Sequence, residues 1–548
     1  MFELKPELLL SPEVLHSASN APGEEYRGSY NPMQFVLRLN KEVHRVLKEM
    51  KPGLYSTSEL NAEIIQANST FLHEKIHWWQ HVGSHYGLIS SLKFPAQAHI
   101  IHQNLQNLVD RGEACKSIFN YSRQILERTE REANTDVNQI INDWFDISCA
   151  GKIIEKPESI LELGRTLYFW SVGHSYYMMW ASVIALIASV CDPEFAFLPN
   201  VKQWDENFKQ LEKEQKEGFY KQSPVRIPPV GVRALLEGQA RFCQLQYLYF
   251  ASEQQWTFGD FERSGMLEGI YVEAFEIFLK VLEEEWPEYS DDPLVALFLL
   301  ICDLAINPTD GFPLDVDFYE TFIISNDPGT RFLMLCQVVA SDFPALKKWI
   351  VEYSKKEYIQ VSELLSHKIV CQSPYQGMRQ VNEWIEKEPR IRHLLEEERL
   401  FRYDTGNMAV RLFFSKYLRF QQDKYKYPHF FCWPGAGLTD RFMTDIPEEE
   451  KLALDERHRA LFMDDADGLI QPKIFPSISN EQVLDTFQQF YSWNCIYDMV
   501  QKWVLEEGPF RYDYDWLIKN ASREEIKRWI DEHFKSVYGI LPEEITIL

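Results

Sequence analysis

The chain has few basic residues for its acidic content. It carries 56 Lys and Arg against 82 Asp and Glu, a formal net charge of -26 over 548 residues. This balance repels phosphate backbones and anionic lipid surfaces at long range, so we predict neither a nucleic-acid partner nor a membrane partner. The basic and aromatic stretch at residues 416–426, KYLRFQQDKYK, is short and diluted by Asp423 and two Gln. We expect it to be a solvated helix face.

Paired cysteines are also missing, and the first residues do not predict a secretory leader. The nine Cys are scattered singly, without a C-x-x-C pair, and their number is odd. This pattern is typical of reduced, mostly buried thiols in a reducing compartment. The first residues, MFELKPELLLSPEV, are acidic where a signal peptide is basic, and their apolar run is only three Leu long. We therefore expect a cytoplasmic protein.

Long uncharged runs are rare, and one of them needs an explanation. Residues 167–191 contain no Lys, Arg, Asp or Glu, and such a helix is long enough to cross a bilayer. Gly173, His174 and Ser175 are poor lipid-facing residues, so we interpret the run as a buried central helix. A single crossing would also place residues 73 and 237, discussed below, on opposite sides of a membrane.

Motifs of several enzyme classes are absent as well. The sequence has no Gly-rich phosphate loop, no G-x-S-x-G elbow and no Cys/His pair in a local context for nucleophilic catalysis. It also shows no repeat of fixed period. A catalytic activity must therefore depend on a different set of residues.

Helical periodicity dominates what is present, and convincing strands are few. The clearest strand is at residues 34–40, where Phe35, Leu37 and Leu39 alternate with their neighbours. The length predicts more than one core, and residues 306–316, with two Pro, a Gly and two Asp, are the predicted boundary. We predict a mainly α (α+β) protein with three parts: an N-terminal segment with a short β-sheet (1–55), a helical catalytic domain (56–310) and a helical C-terminal lobe for substrate or partner recognition (311–548).

One string carries candidate chemistry, FLHEKIHWWQH, which contains H-E-x-x-H as His73, Glu74 and His77. A capping-box spacing at Ser56 and Glu59, followed by apolar residues at helical period, predicts that the string lies within a helix. Residues four apart project from the same helix face, so both imidazoles can bind one ion. Glu74 would lie beside the ion, where it could take a proton from an activated water and pass it to a leaving amine.

The third ligand must come from elsewhere in the chain. Gln80 and Gly83 stand where a metzincin carries Gly and His. His81 and His85 continue the helical ladder, but each step rotates about 40 degrees off the face. We therefore expect His81 to contact the substrate or to support a ligand, and His85 to be exposed to solvent.

A second string supplies a candidate carboxylate. Residues 228–244, PPVGVRALLEGQARFCQ, place Glu237 on a helix that starts after two Pro. Together the two strings resemble the gluzincin metallopeptidases, the group that contains thermolysin, in which a downstream helical Glu in an E-G-x-A string completes the site. Glu237, Gly238 and Ala240 match that pattern. The resemblance implies Zn2+ held by His73, His77 and Glu237.

The resemblance covers these two short motifs and implies a zincin-like helical core. Glu237 lies 160 positions after His77, so an inserted helical subdomain must fill the gap. Glu268, in the string MLEGIY, is a rival third ligand that lacks the Ala. The small residues beside Glu237 would let its helix approach the first helix closely.

The same resemblance implies a donor for the oxyanion, usually a Tyr or His, with an Arg sometimes helping. Arg241 and Tyr247 are the candidates, with Tyr249 on the same helix; ordinary helix packing is the alternative for all three. His174, alone on an apolar helix, is more typical of a core histidine than of a functional one.

These observations lead to two hypotheses. The first is a cytoplasmic zinc metalloendopeptidase, a hydrolase with narrow specificity for a protein or peptide substrate. The second is a helical protein-interaction module with a structural or vestigial metal site. The identity of the substrate, the pathway and the oligomeric state have no signature in the sequence.

Overall fold

The protein is mainly α-helical. The computed structural model describes residues 3–10, 35–48, 62–127, 135–439, 441–514, 516–517 and 522–548. Helices hold 67% of these described residues and strands 2%, which confirms the predicted fold class. Ser56 and Glu59, the predicted capping box, lie outside the described residues.

The helices up to residue 306 include the ones that carry the candidate site. In chain order the α-helices are Pro6–Leu9, Lys41–Lys48, Ala62–Gly83, His85–Ile100, His102–Asp110, Ile118–Glu127, Thr135–Glu155, Ile160–Leu163, Val172–Cys191, Trp204–Lys213, Val232–Ala251, Phe258–Arg263, Ile270–Leu282 and Pro293–Ile306. Short 3-10 helices are Pro157–Ser159 and Val201–Gln203.

The remaining helices form the rest of the body. The α-helices are Phe322–Asn326, Pro328–Ser341, Lys355–Lys368, Pro374–Lys387, Pro389–Leu400, Met408–Lys426, Pro428–Cys432, Pro434–Gly437, Glu448–Arg457, Asn480–Leu505 and Arg523–Tyr538. Further 3-10 helices are Tyr319–Thr321, Pro344–Lys348 and Pro542–Glu544.

The β structure of the described residues is small. Cys115–Lys116 pairs in parallel with Thr546–Ile547, and Phe462–Asp464 pairs antiparallel with Ile470–Pro472. Near the N-terminus, Leu37 forms a parallel bridge with Met463 and so adds a rung beside the antiparallel pair. The strand predicted at residues 34–40 is therefore reduced to this bridge, and residue 34 lies outside the described residues.

Two helices that are distant in sequence pack side by side. We call Ala62–Gly83 the histidine helix and Val232–Ala251 the glutamate helix. They run antiparallel, because His77, late in the first, contacts Glu237, early in the second, while Asn68 donates to the Tyr247 hydroxyl at 2.8 Å. The pairing brings the two predicted motifs together.

The second half of the chain packs directly on the histidine helix. Gln421 donates to the carbonyl of Gly83 at 2.6 Å, and a Cβ added at Gly83 would lie 2.4 Å from the Phe420 ring. Trp79 donates its indole N–H to the carbonyl of His458 at 2.8 Å. The predicted boundary at residues 306–316 is mostly buried; the division into three domains stays a prediction.

The expectation of a solvated face at residues 416–426 is wrong. Lys416 and Lys424 are 8% and 3% exposed. The ammonium of Lys424 lies 2.6 Å from a buried Asp303 carboxylate oxygen, and that of Lys416 lies 2.5 Å from Glu398. Burial of these lysines is tolerated because each charge has a carboxylate partner.

The uncharged run folds as a helix from Val172 to Cys191, capped by the Ser171 hydroxyl, which accepts from the His174 N–H. It is long and apolar enough to span a membrane, and 56% of its most apolar stretch is buried within the protein. Tyr176, on this helix, donates to a buried oxygen of Asp327 at 2.7 Å. These contacts agree with a core helix.

Candidate metal centre

The histidine helix and the glutamate helix place three ligand atoms in a compact triangle. Nε2 of His77 lies 3.2 Å from Nε2 of His73 and 3.2 Å from Oε2 of Glu237. Nε2 of His73 lies 3.5 Å from the same carboxylate oxygen. A tetrahedral zinc ion with bonds of about 2.0 to 2.1 Å needs ligand atoms about 3.4 Å apart. The triangle therefore has the size of one face of a zinc tetrahedron, and the group could hold a metal ion.

Gln80 fixes the tautomer and orientation of His77. Its Oε1 lies 2.8 Å from Nδ1 of His77, and its Nε2 donates at 2.9 Å to the Leu236 carbonyl and to Oε1 of Gln239. Because the amide nitrogen is engaged in this way, the oxygen must face His77 and accept the Nδ1 proton. Once His77 loses its second proton, Nε2 is therefore the deprotonated nitrogen, which is the one a metal binds.

His73 is held differently. Its Nδ1 is buried and has no hydrogen-bond partner among the described residues. Its ring instead packs edge-on against Tyr271, with the ring centroids 5.9 Å apart. Ring packing therefore orients this imidazole together with the contacts of its Nε2, because no partner holds its Nδ1.

The charges of the three groups are coupled. Burial lowers the pKa of His73 to about 3, so this imidazole is neutral. Burial also opposes a charge on His77, but the Glu237 carboxylate outweighs it and raises the pKa of His77 to about 9. Burial of Glu237 would raise its pKa, yet the His77 charge and hydrogen bonds from both imidazoles hold it well below its usual range. A cation that binds here must displace one shared proton.

Glu74 stands beside the triangle and is not one of its corners. Its side chain is half-buried, whereas the three ligands are at most 9% exposed. Its negative charge raises the pKa of His77 and acts on Arg241, which shows that it lies near both. The role of Glu74 as a proton carrier next to an ion stays a prediction.

Arg241 lies beside the triangle, one turn beyond Glu237. Its guanidinium is 1% exposed, stacks over the Tyr271 ring at 4.1 Å and lies 3.4 Å from the Leu9 carbonyl. Its positive charge lowers the pKa of His73 and is offset by Glu237. Arg241 thus balances the Glu237 carboxylate, which the sequence did not predict.

Tyr247 and Tyr249 lie farther along the same helix. Tyr247 is ten residues after Glu237, about 15 Å along the helix axis, and its hydroxyl accepts from Asn68. Tyr249 donates to Asp291 at 3.2 Å. An aromatic ring beside the triangle is that of Tyr271, on a third helix. Sequence reasoning quoted the string that ends at this residue, MLEGIY, only for Glu268 and gave the tyrosine no role.

The other candidate residues fall outside the triangle. Glu268 is exposed, and His81 is not part of the ligand group. His85 was expected to be exposed, and this is wrong: it is 1% exposed, because its Nδ1 bonds to the Pro308 carbonyl at 2.6 Å. His174 pairs with Asp146 at 2.9 Å and lines a cavity of about 460 Å³ that contains none of the three ligands.

Gly238 faces away from the histidine helix. A Cβ at this position would lie 3.4 Å from Phe298 and 3.6 Å from Ala274. Both residues belong to helices behind the glutamate helix, not to the histidine helix. A Cβ would make ordinary van der Waals contacts there, so the close approach of the two metal-site helices does not depend on this glycine.

No protein-family model, no curated protein and no solved structure matches the chain.

Proposed function

We propose that the chain is a zinc-dependent metallopeptidase that hydrolyses a peptide bond. The observation that carries this proposal is the triangle of two imidazole nitrogens and a carboxylate oxygen with sides of 3.2, 3.2 and 3.5 Å. Imidazole and carboxylate ligands are those that catalytic zinc sites use, with three protein ligands and one open position. When bound, the ion supplies Lewis acidity toward a water and a substrate carbonyl.

The side chains around the triangle have separate tasks. Glu74 accepts the proton of the attacking water at its carboxylate and delivers it to the leaving amine nitrogen. Gln80 keeps the proton of His77 on Nδ1, and Arg241 stabilises the charge of Glu237. The half-buried position of Glu74 suits the exchange of protons with a substrate better than full burial would.

Metal analysis combined with peptide cleavage tests the proposal. We expect about one zinc per chain in the wild type and in Glu74→Gln, with cleavage lost only in the latter. Zinc should be lost from His77→Ala and Glu237→Ala, and retained in Glu268→Ala, the matched control for the rival carboxylate. Retention of zinc in His77→Ala, or cleavage by Glu74→Gln, would contradict the proposal.

A structural metal site in a helical interaction protein is the second candidate. The burial of the ligands favours it, since His73 and Glu237 are only 3% and 7% exposed. Cobalt substitution separates the two candidates, because the visible spectrum of the ion reports its ligands. A hydroxamate should change the spectrum if a coordination position is open, and should leave it unchanged in a closed structural site.

We also place the protein in the cytoplasm, with a protein or peptide as substrate and no nucleic acid or membrane partner. The net charge of -26 supports the proposal that there is no nucleic-acid or membrane partner. The nine cysteines support the cytoplasmic location, since none forms a disulfide bond and eight are buried.

A further inference from the structure

The seam between the two metal-bearing helices extends beyond the triangle. On the histidine helix, Gln66 and Thr70 precede His73 and His77 at spacings of four, three and four residues, which places all of them on one face. On the glutamate helix, Arg241 and Gln244 follow Glu237 at spacings of four and three. Because the helices are antiparallel, these four polar side chains face the same stretch of seam.

A short segment of the same chain lies in this seam. Residues 3–10, which we call the strap, are bound mainly through their backbone. Gln66 accepts from the Lys5 N–H at 2.7 Å and donates to the Glu3 carbonyl at 3.1 Å. Thr70 donates to the Leu8 carbonyl. The seam therefore recognises main-chain groups, which every polypeptide offers.

The glutamate helix binds the same strap from the other side. Arg241 and Gln244 each donate to the Leu9 carbonyl at 3.4 Å. Gln244 also donates to the Thr70 hydroxyl at 3.2 Å, which ties the two walls of the seam together. Arg241 is thus shared between the strap and the charge balance of the metal centre.

The side chains of the strap fill apolar positions. Leu8, Leu9 and Leu10 are 2%, 1% and 7% exposed. The strap runs from Gln66 towards Thr70, and so towards His73, one turn further on. A polypeptide that follows the same course reaches the metal centre with its backbone carbonyls already held by side-chain donors.

We infer that the seam is the polypeptide-binding site of the metal centre and that the strap occupies it in cis. The substrate class is a polypeptide with a short leucine-rich segment, which displaces the strap. That the bound polypeptide is cleaved rests on the proposed function, whereas its binding depends only on the residues of the seam. An intramolecular segment acts at an effective concentration on the order of millimolar, so the strap holds the seam closed to weak competitors.

A peptide with the strap sequence, ELKPELLL, provides the test. The fluorescein-labelled peptide is titrated against the full-length wild type and full-length Leu9→Asp, whose buried carboxylate favours release of the strap. We expect binding by Leu9→Asp to be at least about tenfold tighter than by the wild type. In the same background, Gln244→Leu should weaken binding several-fold, and a peptide with Asp in place of the leucines at 8 and 9 should not bind.

The outcomes separate this inference from the proposed function. The peptide titrations are made without metal, so their result does not depend on whether the protein binds zinc. A folded Leu9→Asp protein that does not bind the peptide overturns the seam as a binding site, even if zinc and cleavage are found. Peptide binding without zinc binding supports the seam and overturns the peptidase.

Hydrogen exchange on the wild type covers the case in which Leu9→Asp does not fold. The amides of Leu8, Leu9 and Leu10 donate to carbonyls within the strap. We expect them to exchange through local opening, much faster than the amides of residues 73–77, and faster still when unlabelled peptide is added. Equal protection of the strap and the histidine helix would show that the strap is a permanent part of the core.

Discussion

Replacement of Gln80 by Leu should weaken zinc binding without removing a ligand. Gln80 Oε1 accepts the Nδ1 proton of His77 at 2.8 Å, and two bonds from its amide nitrogen hold it in that orientation. Leu has a similar volume and no acceptor. The His77 ring then loses the partner that keeps Nε2 free for the ion.

The expected size of the effect follows from the role of such partners in known metal sites. Loss of a group that orients a metal-bound histidine typically costs 10- to 100-fold in affinity, which is about 1.4 to 2.7 kcal/mol. His73 cannot compensate, because its Nδ1 has no hydrogen-bond partner among the residues described. We therefore expect the upper part of this range.

Competition with a chromophoric chelator measures the dissociation constant for zinc. Gln97→Leu is the matched control, because Gln97 is also a buried amide, bonded to the Trp144 carbonyl and Ser148, and does not contact the metal group. Both variants should keep the helical circular dichroism of the wild type. If Gln80→Leu folds and binds zinc within about twofold of Gln97→Leu, the role of Gln80 in orienting His77 is refuted.

Three further predictions concern stability. Burial, with the Asp146 charge adding to it, raises the pKa of Asp143 from 3.8 to about 6. The carboxylate therefore destabilises the fold increasingly as the pH rises from about 4 to about 6, and fully above that. Asp143→Asn should raise the free energy of unfolding in urea by on the order of 2 to 3 kcal/mol at pH 8, and the gain should shrink as the pH falls towards 4. Lys424→Met leaves Asp303 buried without its ion pair and should cost about 3 to 5 kcal/mol in the same assay; an unchanged midpoint would argue against the pair. Gly435→Ala would place a Cβ 2.3 Å from the Cys243 carbonyl, so we expect a Tm lowered by several degrees, and an unchanged Tm would contradict that packing.

The site could be predicted from sequence where its geometry is local. His73 and His77 lie one helical turn apart, and helical spacing alone places their imidazoles on one face. Glu237 is separated from them by 160 positions, so spacing carried no information about its place. Its identification depended on the E-G-x-A string, and its position at 3.2 Å from His77 agrees with that prediction.

The supporting residues could not be predicted, because they are defined by contacts between distant helices. Gln80 is only three residues from His77, yet its ability to orient His77 depends on Leu236 and Gln239, which hold its amide in place. Tyr271 lies in an ordinary apolar helix, and nothing in its neighbours shows that it packs against His73. Local sequence patterns can indicate candidate ligands. The residues that orient those ligands are brought to the site only by tertiary packing.

The wrong prediction that Lys416 and Lys424 are exposed has the same cause, because their partners lie far away in sequence. A run of Lys, Gln and Asp is typical of a solvated face, since burial of an unpaired charge costs several kcal/mol. Lys424 is nevertheless 3% exposed, because Asp303 from another helix lies 2.6 Å away and Tyr358 donates to the other oxygen of the same carboxylate at 2.8 Å. A polar network of this kind joins residues on both sides of the predicted boundary at 306–316, and it does so at residues that no apolar pattern selects. Charge patterns therefore predict exposure only for residues whose partners lie close in sequence, and in a helical protein of this size the decisive partners lie far apart.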